Sequence, residues 1–235
     1  MFDRHYFEES SIRDAPPYTL EKIYPRMLNI AQYFNAKYSP KRILDAGCAK
    51  GFLVKAFLDI NVNAYGLDVS TYALVKAPLE IKDRLVLGSA EKLPFSNKSF
   101  DFVFAIDLVE HLAKPENFIL EINRILVEKG KACIFTIGRK NPNASKDSTH
   151  INVHSAKYWY KLFKKCGFKS ARLYYQVGYP HIKNAPYKIS RKLKIQPLTQ
   201  LLSIIKLNFK ILHEQEYTFL LTKVKDVAYE NRLLP

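Results

Sequence analysis

A short stretch at residues 43–52, ILDAGCAKGF, has the residue types and the spacing to build a ligand site. An apolar run leads into Asp45, and Gly47 and Gly51 follow it in the pattern D-x-G-x-x-x-G. Small residues in a turn after a strand let a ligand approach the backbone closely. Because the carboxylate of Asp45 would repel a phosphate, the pattern favours a ligand that carries positive charge.

Two common glycine-rich nucleotide loops do not fit this turn. The dinucleotide fingerprint needs G-x-G-x-x-G, and Ala49 and Phe52 stand at its second and third glycine positions. A P-loop needs G-x-x-x-x-G-K-[ST], and the stretch from Gly47 to Gly51 is one residue too short for it. The turn is therefore neither a nicotinamide fingerprint nor a triphosphate loop.

Four further segments follow the turn in a regular order. They are residues 65–70 (YGLDVS), 88–95 (GSAEKLPF), 99–112 (SFDFVFAIDLVEHL) and 125–131 (ILVEKGK). With the first turn they resemble the motifs of the class I S-adenosylmethionine-dependent methyltransferases, in particular the type 11 methyltransferase-domain family. The resemblance covers about residues 40–177, with Ala49 in place of the family's middle glycine. It implies S-adenosyl-L-methionine as cofactor and S-adenosyl-L-homocysteine as product.

The resemblance also implies which residues bind the cofactor: Asp45, Gly47, Cys48, Gly51, Asp68, Val69, Ala90, Glu91 and Asp107. Asp68 ends the second predicted strand and is expected beside the ribose hydroxyls. Ala90 and Glu91 are expected to bracket the adenine, and Asp107 to face the methionine part. Asp45 is expected to support the turn and to favour the positive amino-acid end of the cofactor.

Histidines supply the predicted catalytic groups. Methyl transfer to a hydroxyl or an ammonium needs a base, and a neutral imidazole can accept a proton near pH 7. His150 is the first choice, because residues 147–152 (DSTHIN) match a segment found in one branch of the family, and His111 is the second. The alternative for His150 is a purely structural role, in which it orders its loop by hydrogen bonding.

A metal site is the less favoured interpretation of the same region. Asp107, Glu110 and His111 resemble the E-x-x-E-H pattern that binds a divalent ion in small-RNA 2′-O-methyltransferases and in some quinone-biosynthesis O-methyltransferases. Carboxylates with imidazoles suit Mg²⁺, Mn²⁺ or Zn²⁺. Asp107 replaces the first glutamate of that pattern, however, and E-H before an apolar residue is common without metal. We therefore expect no metal site. Asp107, Glu110 and His111 are the candidate ligands for the less favoured interpretation.

Apolar runs that alternate with helical patterns must position these residues. Strands are predicted at 42–46, 63–67, 84–87, 100–106, 131–137, 168–177 and 217–224. Helices are predicted at 20–38, 51–60, 70–76, 115–130 and 155–166. Continuous apolar strands between helices indicate a doubly wound, Rossmann-like α/β fold with both sheet faces covered. We expect seven strands, mostly parallel with the last antiparallel, and a basic helical insertion before the last strand.

The charge of the chain is concentrated in one segment. The 235 residues carry a formal net charge of +15, and residues 148–213 contain 13 lysines and arginines but no aspartate or glutamate. We divide the chain into an N-terminal helical segment that covers the cofactor site (1–39), the cofactor-binding core (40–177), a basic amphipathic insertion acting as lid or cap (178–212), and the last strand with the tail (213–235). RNA or an anionic membrane surface could bind 148–213, or the segment is only a well-solvated surface.

Composition limits the class of protein. Hydrophobic residues make up 48% of the chain, enough to bury a sizeable core. Three cysteines without a CxxC pattern argue against a disulfide framework and fit a reducing compartment. The first residues have no apolar core of a signal peptide. We therefore expect a cytoplasmic protein, with attachment to the inner face of a membrane as an alternative.

The predicted function is methyl transfer to oxygen or nitrogen of a small molecule, a sugar or a lipid-linked acceptor. The first alternative is an RNA methyltransferase that uses the basic segment 148–213. The second is a scaffold that binds S-adenosylmethionine without catalysis. The identity of the acceptor depends on loops and on the insertion, which the motifs do not specify.

Overall fold

The computed structural model describes residues 2–8, 18–172 and 216–227. Its helices are α1 (Arg4–Glu8), α2 (Leu20–Tyr38), α3 (Phe52–Asp59), α4 (Thr71–Val75), α5 (Pro115–Ile125) and α6 (Ala156–Lys165), with short 3₁₀ helices at Leu79–Arg84 and Val109–His111. Its strands are β1 (Arg42–Ala46), β2 (Asn63–Asp68), β3 (Leu85–Leu87), β4 (Phe100–Ile106), β5 (Leu126–Ile137), β6 (Phe168–Arg172) and β7 (Glu216–Lys223).

The strands form one sheet in the order β3-β2-β1-β4-β5-β7-β6. The pairs from β3 through β5 are parallel, and β7 runs antiparallel to both β5 and β6. The predicted seven-stranded, mostly parallel sheet with an antiparallel last strand is confirmed. Long apolar strands such as β4 require this arrangement, because both of their faces are covered by helices.

The order of the strands places the first turn at a switch point. From β1 the chain moves outward to β2 and β3, and it then returns to the other side of β1 to form β4. Ala46, the last residue of β1, pairs with Leu67 on one side and with Ala105 on the other. The loops after β1, β2 and β4 therefore open at the same edge of the sheet, where open α/β sheets bind their ligands.

Two apolar clusters hold the helices on opposite faces of the sheet. On one face, Phe34 of α2 and Phe57 of α3 contact Phe104 of β4, with ring centroids 5.0 and 5.2 Å apart. On the other face, Phe163 of α6 contacts Phe219 of β7. All five rings are fully buried, and burial of each stabilises the fold by roughly 1.5–3 kcal/mol.

One predicted boundary is wrong. The helical pattern predicts that α5 runs to Gly130 and that β5 starts at Lys131, but α5 ends at Ile125 and β5 begins at Leu126. Leu126 has extended backbone angles (φ −77°, ψ 139°) and pairs with Phe100. The strand register shifts between this pair and the next one, Phe102 with Lys131. Pairing with β4 therefore overrides a local pattern that suits a helix equally well.

Some predictions concern residues that the structure describes only in part. β6 lies within the predicted strand 168–177, and the described part of that strand ends at Arg172. The predicted insertion at 178–212 lies outside the described residues. Within the described ranges, no helix combines the length and the apolar character that a bilayer crossing requires.

Candidate active site

A cavity of about 380 Å³ opens at the edge of the sheet where β1, β2 and β4 end. Eight of the nine predicted cofactor residues line it, all except Gly51. Four aromatic residues of the N-terminal segment, Phe2, Tyr6, Phe7 and Tyr18, also line it. A cavity of this size, lined by acids and aromatic rings, is typical of a small-molecule site.

The first turn is shaped by backbone bonds to β2. The N–H groups of Gly47 and Cys48 both donate to the carbonyl oxygen of Leu67, at 2.8 and 3.0 Å. Gly47 has φ +74°, and a Cβ there would lie 2.9 Å from Cδ1 of Leu108. Ala49, which replaces the family's middle glycine, also adopts a left-handed conformation with φ 49°. The turn thus keeps its glycine-like shape at Ala49 despite the extra methyl group.

Gly51 is the one predicted cofactor residue that does not line the cavity, and its surroundings show a structural requirement for glycine. It precedes α3 in a left-handed conformation with φ +73°, and a Cβ would come within 2.8 Å of Cδ1 of Ile81. The space that a side chain would occupy at Gly51 is therefore already filled. A glycine is required there by the backbone and by its neighbour, so the spacing of the motif alone did not separate packing from ligand contact.

Asp68 connects the turn after β1 to the turn after β2. Its Oδ2 accepts a hydrogen bond from the Ala49 N–H at 2.7 Å, and its Oδ1 accepts one from the Ser70 N–H at 2.8 Å. Burial raises the pKa of Asp68, and the hydrogen bonds from the backbone oppose that shift. Each carboxylate oxygen keeps a further lone pair, so the group can accept hydrogen bonds from a ligand as well.

Asp45 is the most deeply buried acid of the cavity wall. Burial raises the pKa of its carboxyl well above the ordinary value, and the charge of Asp68 raises it further. A cation bound in the cavity would oppose both effects. Asp45 is therefore unfavourable for the free protein and favourable for a complex with a positively charged ligand.

We expect Asp45→Asn to stabilise the ligand-free protein and to weaken the binding of S-adenosylhomocysteine. The raised pKa means that the folded state binds the carboxyl proton more tightly than the unfolded state, so stability falls as the pH rises above about 4. The free energy of unfolding in urea should increase by about 1 kcal/mol at pH 8, and by less at pH 4. An equal increase in the free energy of unfolding at pH 4 and at pH 8 would contradict a raised pKa of Asp45.

Ala90 and Glu91 lie at the wall next to the third strand. Ala90 is buried, and both residues line the cavity. Oε1 of Glu91 accepts a hydrogen bond from the Lys114 N–H at 2.7 Å, just before α5 begins. The carboxylate of Glu91 therefore stabilises the start of α5.

Of the two predicted catalytic histidines, His111 lines the cavity and His150 does not. The His150 ring lies against His111, with centroids 4.8 Å apart, and its Nδ1 lies 3.1 Å from the Ala144 carbonyl oxygen. The geometry therefore favours His111 over His150, the first choice from the sequence, as the group nearest a ligand. The loop that carries His150 turns it inward, where it supports His111 and its own loop.

Glu110 has a structural role beside the histidines. It is buried; Oε2 accepts from the Thr136 hydroxyl at 2.9 Å, and Oε1 accepts from the Ile137 N–H at 3.4 Å. Burial raises the pKa of Glu110 to about 8, and the nearby Asp107 contributes to the shift. Its own carbonyl oxygen accepts hydrogen bonds from Ile151 and Asn152. Glu110 therefore joins β5 to the loop that carries His150.

The metal candidates do not converge as the sequence suggested. Among the described residues, donor atoms of Glu110, His111 and His150 lie within 4.8 Å of one another, and Asp107 is not part of this group. Asp107 follows β4 with φ 50° and lines the cavity instead. Glu110 and both histidines have hydrogen-bond partners in the protein, and the expectation of no metal stays a prediction.

Arg26 of α2 is a cavity residue that the sequence analysis missed. It lines the cavity, and within the described part of the chain its buried Nε has no hydrogen-bond partner. Helical periodicity identifies only the apolar face of α2, including its neighbour Met27, so no local signal marked the arginine. A buried guanidinium N–H without a partner is suited to bind an acceptor group of a ligand.

The comparisons with known proteins agree with this geometry. Residues 44–134 match the family model for a methyltransferase domain. Malonyl-[acyl-carrier protein] O-methyltransferase of Legionella pneumophila is 32% identical over 124 residues, covering 50% of this chain and 43% of that protein. Norajmaline N-methyltransferase of Rauvolfia serpentina is 29% identical over 131 residues, covering 52% and 44%. The chain thus spans less than half the length of either relative.

A solved structure shares the fold. A SAM-dependent methyltransferase from Archaeoglobus fulgidus superposes with a TM-score of 0.63 at 19% identity, covering 87% of this chain and 95% of that one. The cofactor of the family is S-adenosylmethionine. Residues 44–134 are therefore similar to a methyltransferase domain, and the chain shares the fold of a solved S-adenosylmethionine-dependent methyltransferase.

Proposed function

We propose that the protein transfers the methyl group of S-adenosylmethionine to oxygen or nitrogen of a small molecule, a sugar or a lipid-linked acceptor. The observation that supports this most directly is the cavity at the switch point, because an acid stands at or next to the carboxyl end of β1, β2 and β4 there and His111 lines the same cavity. An enclosed site of this kind aligns two small reactants and excludes water, which methyl displacement mainly requires.

The residues of the cavity fit the cofactor part by part. Asp68, with free lone pairs at the end of β2, would accept hydrogen bonds from the ribose hydroxyls. Ala90 and Glu91 would contact the adenine. The cationic amino-acid end would lie near Asp45 and Asp107, with the unpartnered Nε of Arg26 as a donor for its carboxylate.

S-adenosylmethionine supplies an activated methyl group, so the protein mainly positions the acceptor and removes its proton. His111 is the group at the cavity wall that can take this proton. Burial lowers the pKa of His111, and so does the neighbouring His150, so the imidazole stays neutral near pH 7. Phe2 and Tyr6 pack edge-on near the His111 ring, at centroid distances of 5.5 and 6.3 Å, and would shield the reacting atoms from water.

Two measurements test the proposal together. Calorimetry should detect binding of S-adenosylhomocysteine to the purified protein. Methyl-labelled S-adenosylmethionine should then label a component of a small-molecule extract when protein is present. Binding without transfer to any small molecule or RNA would favour the non-catalytic scaffold instead. Absence of cofactor binding would contradict the proposal outright.

RNA is the second candidate acceptor, because residues 148–213 are basic and free of acids. In the described part of that segment, Lys157, Lys161 and Lys164 are exposed on α6. If RNA is the acceptor, its affinity should fall steeply as salt rises from 50 to 200 mM, by about tenfold or more, because phosphate contacts release counterions. Filter binding of the wild type and of K161E/K164E checks this. Affinity that is insensitive to both changes would exclude RNA.

A further inference from the structure

The environment of His111 determines which of its nitrogens carries a proton. Its Nδ1 lies 3.2 Å from the carbonyl oxygen of Thr149 and 2.9 Å from the Thr149 hydroxyl oxygen. A carbonyl oxygen can only accept a hydrogen bond. Nδ1 must therefore be the protonated nitrogen, and Nε2 of the neutral ring carries the lone pair.

The hydroxyl of Thr149 is itself oriented by a carboxylate. Its Oγ1 donates to Oδ1 of Asp147 at 2.5 Å, and the same oxygen accepts from the Thr149 N–H at 2.8 Å. Burial alone would raise the pKa of Asp147, but the hydrogen bonds from Thr149 and the nearby His150 and His111 hold it below the ordinary value. An ionised Asp147 only accepts, so the hydroxyl proton points to it and the hydroxyl lone pair faces Nδ1–H of His111.

From this chain of bonds we propose that Asp147 and Thr149 are positioning residues, which hold His111 as its Nδ1–H tautomer and leave Nε2 to take a proton from the methyl acceptor. The inference rests on the proposed methyl transfer and adds which groups take up the proton that the methyl acceptor loses. As the acceptor atom bonds to the methyl carbon, the bond from that carbon to the cofactor sulfur breaks and S-adenosylhomocysteine leaves with the electron pair, while the hydrogen of the acceptor moves to Nε2 of His111. The imidazolium that forms keeps its Nδ1–H bond to Thr149, Asp147 offsets its charge, and the proton later passes to water.

His150 is an internal reference for this arrangement. It lies near the other oxygen of Asp147, with Nε2 3.8 Å from Oδ2, and its Nδ1 faces the Ala144 carbonyl oxygen. It makes no hydrogen bond to Thr149 among the contacts of the described residues. A change at the Thr149 hydroxyl should therefore alter His111 and leave the tautomer of His150 as it is.

The test is the ¹⁵N spectrum of the histidine rings in the complex with S-adenosylhomocysteine. The wild type should show His111 protonated at Nδ1 and unprotonated at Nε2. Thr149→Val removes the hydroxyl and leaves Nδ1 only the longer contact to the Thr149 carbonyl oxygen, so part of His111 should change to the Nε2–H form, while Thr149→Ser should keep the wild-type spectrum. An Nε2–H form in the wild type, or identical spectra of the two variants, would overturn the proposal.

Kinetics separate this proposal from the proposed function. With a methyl acceptor, Thr149→Val should lower kcat about tenfold or more while the KM for S-adenosylmethionine stays within about threefold, and Thr149→Ser should recover most of the loss. A normal kcat in Thr149→Val would overturn the positioning role. If the wild type transfers no methyl group at all, the proposed function fails, and the ring spectra still decide the tautomer.

Discussion

Replacing Asp68 by alanine weakens the binding of S-adenosylhomocysteine by about 100-fold. Its carboxylate should bind the ribose, and hydrogen bonds to a charged group contribute about 1.5–3 kcal/mol. The same change removes the acceptor for the N–H groups of Ala49 and Ser70, so the turns after β1 and β2 lose their connection. Calorimetric titration of the wild type and the variant measures the effect.

The control for this prediction is another aspartate near the same strands. Asp83 precedes β3, is 74% exposed in its side chain, and pairs only with the neighbouring Arg84 among the ion pairs of the described residues. Asp83→Ala should leave the affinity within about threefold. An unchanged affinity in Asp68→Ala would show that the ribose assignment is wrong, whereas equal losses in both variants would indicate a general effect of charge.

Replacing His111 by glutamine lowers methyl transfer by about 100-fold to 10,000-fold, the range that a positioned general base contributes. Glutamine keeps a polar side chain of similar length but cannot take a proton near pH 7. The affinity for S-adenosylhomocysteine should remain within about threefold. His150→Gln should lower transfer by no more than about tenfold, because its ring lies behind His111 and not at the cavity wall. A larger loss of methyl transfer in His150→Gln than in His111→Gln would favour His150, the first choice from the sequence, as the base.

The pH profile of the wild type provides an independent check on His111. Burial and the neighbouring His150 lower its pKa, whereas Asp147 and Asp107 oppose that shift. A base with a lowered pKa stays neutral to lower pH, so the acid limb of kcat/KM should lie below pH 6.5. His111→Gln should lose this limb. If the acid limb of the kcat/KM profile is unchanged in His111→Gln, a group other than His111 causes it.

The fold could be predicted closely because its signals are local. β4 runs from Phe100 to Ile106 and α2 from Leu20 to Tyr38, as predicted, since an apolar run and an amphipathic repeat each identify one element. The boundary at Leu126 could not be predicted in this way. Its side chain fits the end of a helix as well as a strand, and the pairing with Phe100 decides between the two.

The candidate site likewise has one part that local sequence signals predict and another part that they do not. Asp45, Asp68 and Asp107 follow apolar runs, so the sequence by itself determined that these acids meet at one edge of the sheet, because the parallel strands before them end there. Their motifs also indicated the resemblance to the methyltransferase-domain family, which the match at residues 44–134 supports. The identity of the methyl acceptor, in contrast, depends on the whole wall of the cavity and not on any one motif.

Only the tertiary structure decided which histidine faces the cavity and what holds it there. His111 and Thr149 are 38 residues apart, and Arg26 reaches the same cavity from a helix that precedes the sheet. Periodicity and motif spacing report neighbours along the chain, whereas these contacts form only when the loop after β5 and the helix α2 pack against the ends of the strands. The residues that position the proton acceptor therefore became visible only in three dimensions.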